Sequence, residues 1–137
     1  MSKNFDSNQN YYFFNKKDSI PIVFIHGVGI DHQMWDHQVN YFNEYSTLTY
    51  DLLGHGKTPC NKEKLSLKDF SEQLLEILDY LKIDKINLIG FSLGSLIALN
   101  FSSLFQNKVE KLILVFQLFF EKEMKNLKQS KTLKKNL

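Results

Sequence analysis

The chain has 137 residues, enough for one domain with a substantial core and too few for two. Hydrophobic residues make up 43% of it and aromatic residues 14%, which excludes a disordered protein. The net charge of +2 does not by itself indicate a nucleic-acid partner, and all 17 basic residues are lysine, which excludes bidentate arginine clamps. A single cysteine, Cys60, excludes an internal disulfide. With no signal peptide and no apolar run approaching the ~20 residues that span a bilayer, the sequence favours a cytoplasmic, soluble protein without a membrane partner.

The first part of the chain predicts three strands and one helix. Strands are expected at residues 11–14 and 20–25, joined by a polar turn, and the second is apolar throughout, as in a strand buried on both faces. A helix is expected over residues 31–42 and a third strand over residues 46–51. The apolar side of that helix is formed by Met34, Trp35, Val39 and Phe42.

The second part predicts two more helices, each followed by a strand. The clearest helix covers residues 67–81, with Ser66 as its N-cap and Asp69 three residues later. A strand at 85–90, an apolar helix at 95–105 and a strand at 111–116 follow. Strands that alternate with helices indicate an α/β fold, with a mostly parallel sheet and flanking helices. The apolar stripe of the first of these helices consists of Phe70, Leu74, Ile77, Leu78 and Leu81.

The end of the chain has a different composition. Residues 118–137 contain six lysines and two glutamates, whereas the preceding 117 residues carry a net charge of −2. We therefore divide the chain into a partial α/β core, 1–117, and a lysine-rich tail, 118–137, that is helical or frayed.

The segment "GFSLGS" places Ser92 between Gly90 and Gly94, at the end of a predicted strand and before an apolar helix. A nucleophilic serine in such a position needs a sharp strand-to-helix turn, and residues without a β-carbon relieve the crowding on both sides. The helix N-terminus then directs the amide of Leu93 at an oxyanion formed on the serine. The same pattern without this context occurs by chance in many chains.

The segment "HGVG" follows the predicted strand at 20–25. A tight turn with Gly27 and Gly29 frees a backbone amide, that of Val28, as a second oxyanion donor. Taken alone, the segment is more typical of an ordinary strand-to-helix turn, but together with Ser92 it favours the oxyanion donor.

The segments "HGVGIDHQMW", "DLLGHGKT" and "GFSLGS", in this order and spacing, resemble the α/β-hydrolase fold superfamily (AB hydrolase-1), specifically its esterase/lactonase-like group. The resemblance covers residues 20–116 and implies the N-terminal half of that fold. It implies that Ser92 is the nucleophile and that the Val28 and Leu93 amides form the oxyanion hole. The expected reaction is hydrolysis of small carboxylic esters, thioesters or lactones without metal or cofactor, with perhydrolysis and acyl transfer also open. Serine at the elbow disfavours dehalogenase and epoxide-hydrolase chemistry, for which relatives carry aspartate.

The base that should activate Ser92 is missing downstream. In this fold an acid and then a histidine follow the serine, but no histidine follows Ser92 here. The histidines are His26, His32, His37 and His55, and the later acids are Glu110, Glu121 and Glu123. We expect His26 and His55 to be structural, His32 and His37 to be surface residues, Asp51 to order its own loop, and Cys60 to be inert.

These features leave three hypotheses. The chain is a serine hydrolase, a non-catalytic remnant that keeps the site without its base, or half of a split enzyme whose partner supplies Asp and His. We interpret it as a hydrolase shortened by a frameshift, an early stop or a gene split. DNA beyond codon 117 that lacks an Asp and His motif in every frame and in neighbouring genes would contradict this. The strand at 111–116 would then be an exposed sheet edge that invites self-association or binds a complementing chain.

Overall fold

The structure, a computed structural model, describes residues 4–116, which form a sheet flanked by helices. Residues 118–137, for which a lysine-rich tail is predicted, lie outside the described residues. The strands are β1 (Tyr12–Asn15), β2 (Ile22–Ile25), β3 (Thr47–Tyr50), β4 (Ile86–Phe91) and β5 (Val109–Val115). The α-helices are α1 (Asp36–Tyr41), α2 (Leu67–Tyr80) and α3 (Leu93–Leu104), and short 3-10 helices cover His32–Trp35 and Gln106–Lys108.

The five strands are arranged in the order β1-β3-β2-β4-β5. β2, β3, β4 and β5 are parallel, and β1 alone runs antiparallel, against β3. This confirms the predicted α/β class with a mostly parallel sheet and flanking helices. Because parallel strands end at the same edge, the residues that follow β2, β3 and β4 lie together at the carboxyl edge of the sheet.

The central strand β2 matches its sequence pattern. Val23, Phe24 and Ile25 are all buried, because β3 and β4 flank the strand and helices cover the sheet. The first two predicted strands are not paired with each other, because β1 pairs with β3.

The expected helix over 31–42 is divided. Asp31 caps a 3-10 helix by accepting the Gln33 N–H at 2.9 Å, and a short α-helix begins at Asp36. Of the four apolar residues predicted on one side, only Trp35 is fully buried, where its ring lies 5.0 Å from that of Phe24. One buried aromatic side chain anchors this segment to the sheet, and a longer helix has no continuous apolar stripe to bury.

Helix α2 forms as predicted. The Ser66 side chain accepts the Asp69 N–H, and the Asp69 carboxylate accepts the Ser66 N–H, which completes a capping box. The apolar stripe faces the core, and each fully buried side chain in it contributes about 1.5–3 kcal/mol relative to exposure. Its buried members are Phe70, Leu74, Ile77 and Leu78, with Leu81 partly buried.

Helix α3 packs on β4, β5 and α2, but its outer side is open. Leu96, Leu99 and Leu104 on this side are about half exposed. Strand β5 pairs only with β4 among the described residues, and Ile113 on it is 53% exposed. We call β5 and the outer side of α3 the open flank. Within residues 4–116, no helix is both long and apolar enough to cross a bilayer.

Candidate active site

The turn between β4 and α3 places Ser92 in a conformation that residues with a β-carbon seldom adopt. β4 ends at Phe91 and α3 begins at Leu93, so the whole change of direction falls on Ser92. Its backbone has φ 53° and ψ −115°. Such a conformation costs on the order of 1–3 kcal/mol and persists only where the surroundings hold it. This turn is therefore a sharp, strained strand-to-helix junction of the kind that the sequence predicted.

Both glycines of "GFSLGS" are sterically required. A β-carbon on Gly90 would lie well within 3.0 Å of the Gly94 carbonyl group, and one on Gly94 would overlap the carbonyl oxygen of Ile25 in the same way. The first glycine lets α3 turn back over the end of β4. The second lets α3 lie directly against β2. Each glycine thus serves a different close approach of backbone to backbone.

The turn after β2 lies next to this elbow. Ile25 is in register with Gly90 across the β2–β4 pair, so the two strands leave the sheet side by side. Gly27 faces the Phe91 side chain, 3.2 Å from where its β-carbon would be. Gly29 has φ 75°, and Val28 between the two glycines is 69% exposed. We call residues 25–28 and 90–95 together the elbow corner.

Some backbone N–H groups of the elbow corner donate hydrogen bonds within the described residues, and others do not. Ser92 donates its N–H to the Val115 carbonyl at 3.0 Å, and Ser95 donates to the Ser92 carbonyl at 2.9 Å. Among residues 4–116, the N–H groups of Leu93 and Val28 have no hydrogen-bond acceptor. The first N–H groups of a helix have no intrahelical partner and carry the positive end of its dipole. The N–H groups of Val28 and Leu93 are therefore not occupied by acceptors within residues 4–116.

Two of the four histidines, His26 within the elbow corner and His55 next to it, form hydrogen bonds with nearby backbone groups. His26 is fully buried, with Nδ1–H donating to the Gly27 carbonyl at 2.7 Å and Nε2 accepting the Leu52 N–H at 3.0 Å. Burial lowers its pKa, an effect that the hydrogen bond to Gly27 partly offsets. His55 donates Nδ1–H to the Leu53 carbonyl at 3.0 Å, and its ring lies 5.2 Å from that of His26. His26 has no nitrogen left for a proton from Ser92.

His32 is paired with a buried carboxylate. Its Nδ1–H donates to Asp51 Oδ1 at 2.7 Å, and its backbone N–H donates to the same oxygen at 2.9 Å. Asp51 Oδ2 accepts the Lys57 N–H at 2.9 Å. Burial alone would raise the pKa of Asp51, but these N–H donors and the His32 ring together hold it below its ordinary value. The carboxylate therefore orders its own loop, as predicted, and a second loop as well.

This His–Asp pair does not face Ser92. Asp51 follows β3, which is separated from β4 by β2, so the two residues are two strand spacings apart, on the order of 10 Å. The His32 ring packs at 5.2 Å against the ring of Tyr11, on the side of β3 away from the elbow corner. A general base has to lie within about 3 Å of the hydroxyl that it deprotonates. The expectation that His32 is a surface residue was wrong, because its side chain is only 15% exposed, whereas His37 is exposed.

Within residues 4–116, one cluster offers metal-ligand atoms. A carboxylate oxygen of Asp31 and of Asp51 and a ring nitrogen of His32 lie within 4.8 Å of one another. These atoms are already used, since Asp31 caps the 3-10 helix and His32 binds Asp51. The cluster is therefore explained as a hydrogen-bonded clasp between two loops.

The predicted site residues Gly27, Val28, Gly90, Ser92, Leu93 and Gly94 all lie in the elbow corner. The sequence did not point to Ser95, whose hydroxyl bonds to both β4 and β5 near this corner. It also missed the pairing of His32 with Asp51. Neither contact has a sequence signature, since the partners are separated by 20 and 19 residues.

One cleft and the elbow corner lie at different ends of the sheet. A cleft of about 610 Å³ opens at the amino ends of the parallel strands, lined by residues that include Ser19, Pro21 and Lys85. Ser92 instead lies at the carboxyl ends, half-buried beside the exposed Val28.

Comparisons with known proteins identify the family of this chain. The family model for the alpha/beta hydrolase fold matches residues 20–133, and the chain belongs to that family. It is 34% identical over 92 residues to (E)-2-((N-methylformamido)methylene)succinate hydrolase of Acinetobacter baylyi, and this match covers 66% of the chain and 35% of the relative. It is 42% identical over 79 residues to 3-oxoadipate enol-lactonase 1 of the same organism, covering 57% and 29%. The chain thus spans about a third of the length of these curated relatives.

Solved structures give the same assignment. A marine microorganism esterase superposes with a TM-score of 0.74 at 25% identity, covering 79% of this chain and 41% of that one. The enol-lactonase from Burkholderia xenovorans LB400 gives 0.72 at 25% identity, covering 75% and 41%. These similar proteins are hydrolases, which supports hydrolase chemistry for the family to which this chain belongs.

Proposed function

We propose that this chain provides the nucleophile and the oxyanion hole of a serine hydrolase. Ser92 is the nucleophile, and the N–H groups of Val28 and Leu93 bind the oxyanion. The observation that carries this proposal is the strained backbone of Ser92, which is held between two sterically required glycines and followed at once by a helix N-terminus. Strain of this kind is found mostly at functional sites.

In the proposed reaction, Ser92 Oγ attacks the carbonyl carbon of the substrate and its proton passes to a base. The carbonyl oxygen becomes an oxyanion between the amides of Val28 and Leu93, and the alkoxide, thiolate or ring oxygen then leaves as the carbonyl re-forms. Water releases the acyl group from Ser92 in the second half-reaction. The substrate class is a small carboxylic ester, thioester or lactone, in line with the similarity to enol-lactonases and an esterase.

We propose that the base and its orienting acid come from polypeptide outside these 137 residues, in a longer protein or in a second chain. The hydrogen bonds of His26 and His32 support this, since both rings are bound to groups other than Ser92. Without a base, an oxyanion hole and substrate binding retain about 10³–10⁴-fold acceleration over water in a well-studied serine protease.

The second candidate is a catalytically dead remnant. A cytoplasmic location, favoured by the lone Cys60, is part of the proposal.

We also propose that copies of the chain associate through β5. An exposed strand edge offers unpaired N–H and C=O groups to another strand, and Ile113 and Phe116 expose apolar surface there. In a twofold antiparallel pair of two copies the same face of each β5 strand meets its counterpart, so Ile113 of one copy can lie opposite Ile113 of the other. The occupant that we favour is therefore a second copy of this chain.

Chemical rescue tests the nucleophile. The purified chain is treated with a fluorophosphonate probe with and without imidazole, which replaces the missing base, and labelled sites are read by peptide mass spectrometry. We expect labelling at Ser92 at least about tenfold faster than at any other serine, accelerated further by imidazole. Ser92→Ala should abolish it, whereas Ser103→Ala, at an exposed serine of α3, should not.

Equal labelling of many serines, with no response to imidazole, would contradict the assignment and support the remnant. Rapid labelling of Ser92 without imidazole would instead contradict the external base. Rescue by imidazole supports the nucleophile and the missing base together.

A further inference from the structure

The Ser95 hydroxyl group has three polar backbone atoms within hydrogen-bonding distance. It lies in the first turn of α3 and is fully buried. Its Oγ is 2.7 Å from the Gly90 carbonyl oxygen, 3.1 Å from the Val115 nitrogen and 3.0 Å from the Val115 carbonyl oxygen. A hydroxyl has one proton to donate and two lone pairs. It therefore donates to Gly90, at the shortest distance, and accepts the Val115 N–H.

These contacts connect the elbow to the last residue of β5. Val115 is in register with Phe91, at the point where β4 ends and the chain turns into Ser92. The Val115 carbonyl accepts the Ser92 N–H at 3.0 Å, and the Val115 N–H is bound by Ser95. Both backbone groups of Val115 thus hold the elbow, one directly and one through Ser95.

The hydroxyl lies where the chain leaves the sheet, since the pairing of β4 with β5 ends at Phe91 and Val115. Ser95 adds a side-chain hydrogen bond to the Gly90 carbonyl on one side and to the Val115 N–H on the other. Alanine would fill the same space but would remove both of these hydrogen bonds next to the strained residue.

We propose that Ser95 is a positioning residue for Ser92: its hydroxyl fixes the elbow between the Gly90 carbonyl and the end of β5. This role rests on the proposed function of Ser92 as nucleophile. The orientation of Ser92 then depends on β5, a strand at the edge of the sheet.

The test compares Ser95→Ala with Ser71→Ala. Ser71 is a matched control, because its buried hydroxyl donates to Asn100 Oδ1 at 2.7 Å between α2 and α3, away from the elbow. Ser102→Ala is a second control, since Ser102 Oγ on α3 is buried without a partner in the described structure. Ser95→Cys keeps a weaker hydrogen-bonding group in place, and its effect should be intermediate.

Hydrogen exchange of single amides and imidazole-rescued phosphonylation of Ser92 are measured in all variants. In Ser95→Ala we expect the Ser92 and Val115 amides to exchange about fivefold to tenfold faster, with Phe101 unchanged, and phosphonylation to slow by about tenfold. Ser71→Ala should lower the melting temperature comparably without changing either readout.

Identical exchange at Ser92 in Ser95→Ala and Ser71→Ala would overturn the proposal, because the hydroxyl would then contribute only general stability. If Ser92 is not phosphonylated in any variant, the proposed function fails. The exchange data still decide whether Ser95 holds the elbow, so the two failures are distinguishable.

Discussion

The elbow corner and the open flank are neighbours that differ sharply in how tightly they are packed. In the elbow corner a single additional carbon atom on Gly90 or Gly94 would overlap a backbone carbonyl group. On the open flank, Leu99 is 52% exposed and Ile113 is 53% exposed. The two regions are nonetheless connected, because Val115 at the end of β5 accepts the N–H of Ser92. The tightly packed elbow corner is therefore held by β5, a strand whose outer edge is exposed.

This contrast suggests how the site is organised. Strain at Ser92 has to be balanced by contacts that over-determine the turn. The close approaches at Gly90 and Gly94 are within the elbow corner, and a further contact comes from the end of an edge strand that has only one neighbour in the described structure. Anything that pairs with β5 would then reduce the motion of Val115 and, through it, of Ser92. Association at the open flank and order at the nucleophile are thus expected to change together.

The largest effect is expected for Gly94→Ala. Its β-carbon would overlap the Ile25 carbonyl, so α3 would have to move away from β2, at a cost of about 3 kcal/mol in the free energy of unfolding. The matched control is Gly29→Ala, where nothing lies within 4 Å and only the φ of 75° opposes a side chain, at a cost of about 1 kcal/mol. Urea denaturation measures both.

Equal costs for the two substitutions would show that backbone strain, and not contact with β2, sets the requirement for glycine at 94. Tight packing of α3 against β2 would then not explain why residue 94 is a glycine.

Much of the fold could be predicted, because its patterns are local. The capping box of Ser66 and Asp69 and the apolar stripe of α2 lie within one helix, and the buried residues of β2 form one continuous apolar run. The elbow was recognisable because two glycines flank Ser92 at a strand-to-helix junction. In each of these cases the residues that decide the structure are within a few positions of one another.

What could not be predicted depends on contacts between distant segments. β1 pairs with β3 in antiparallel register and not with its sequence neighbour β2, and this choice depends on contacts across the sheet. The clasp of His32 on Asp51 and the bonds of Ser95 to Val115 each join segments about twenty residues apart, and hydroxyl or imidazole side chains have no periodicity that would reveal their partners. The bounds of the elbow helix also differ, since α3 begins at Leu93 and the pattern suggested 95.

A smaller effect is expected for Asp51→Asn, at the far side of β2 from the elbow. The amide cannot accept from His32 and Lys57 as the carboxylate does, so we expect a loss of about 2 kcal/mol at neutral pH. The pKa of Asp51 is lowered in the folded state, so its ionised form stabilises the fold above the unfolded-state pKa of about 3.9. That contribution is lost as the pH falls through the folded-state pKa, where the folded carboxyl finally binds its proton.

Unfolding free energies from pH 7 down to pH 2 measure this. The difference between the wild-type chain and Asp51→Asn should shrink as the acid limit is approached, and Asp36→Asn, at an exposed acid of α1, should behave as the wild type does. A difference that stays constant with pH would mean that the charge of Asp51 does not stabilise the clasp.

The smallest effect on stability, and a clear effect on association, is expected for Ile113→Lys. Ile113 is more than half exposed on β5, so little burial is lost and the unfolding free energy should change by less than about 0.5 kcal/mol. A lysine at this position places like charges opposite each other when two β5 edges meet, which opposes pairing. Sedimentation velocity over a concentration series measures the change, with the wild-type chain self-associating and Ile113→Lys remaining monomeric.

Tyr41→Lys is the control, because Tyr41 is an exposed apolar residue of α1 that lies outside the open flank. It should leave self-association unchanged. If Tyr41→Lys disrupts association as much as Ile113→Lys does, the interface is not the β5 edge. If only Ile113→Lys disrupts it, hydrogen exchange at the Ser92 amide should depend on concentration in the wild-type chain and not in the variant, since pairing at β5 steadies Val115 and Val115 holds Ser92.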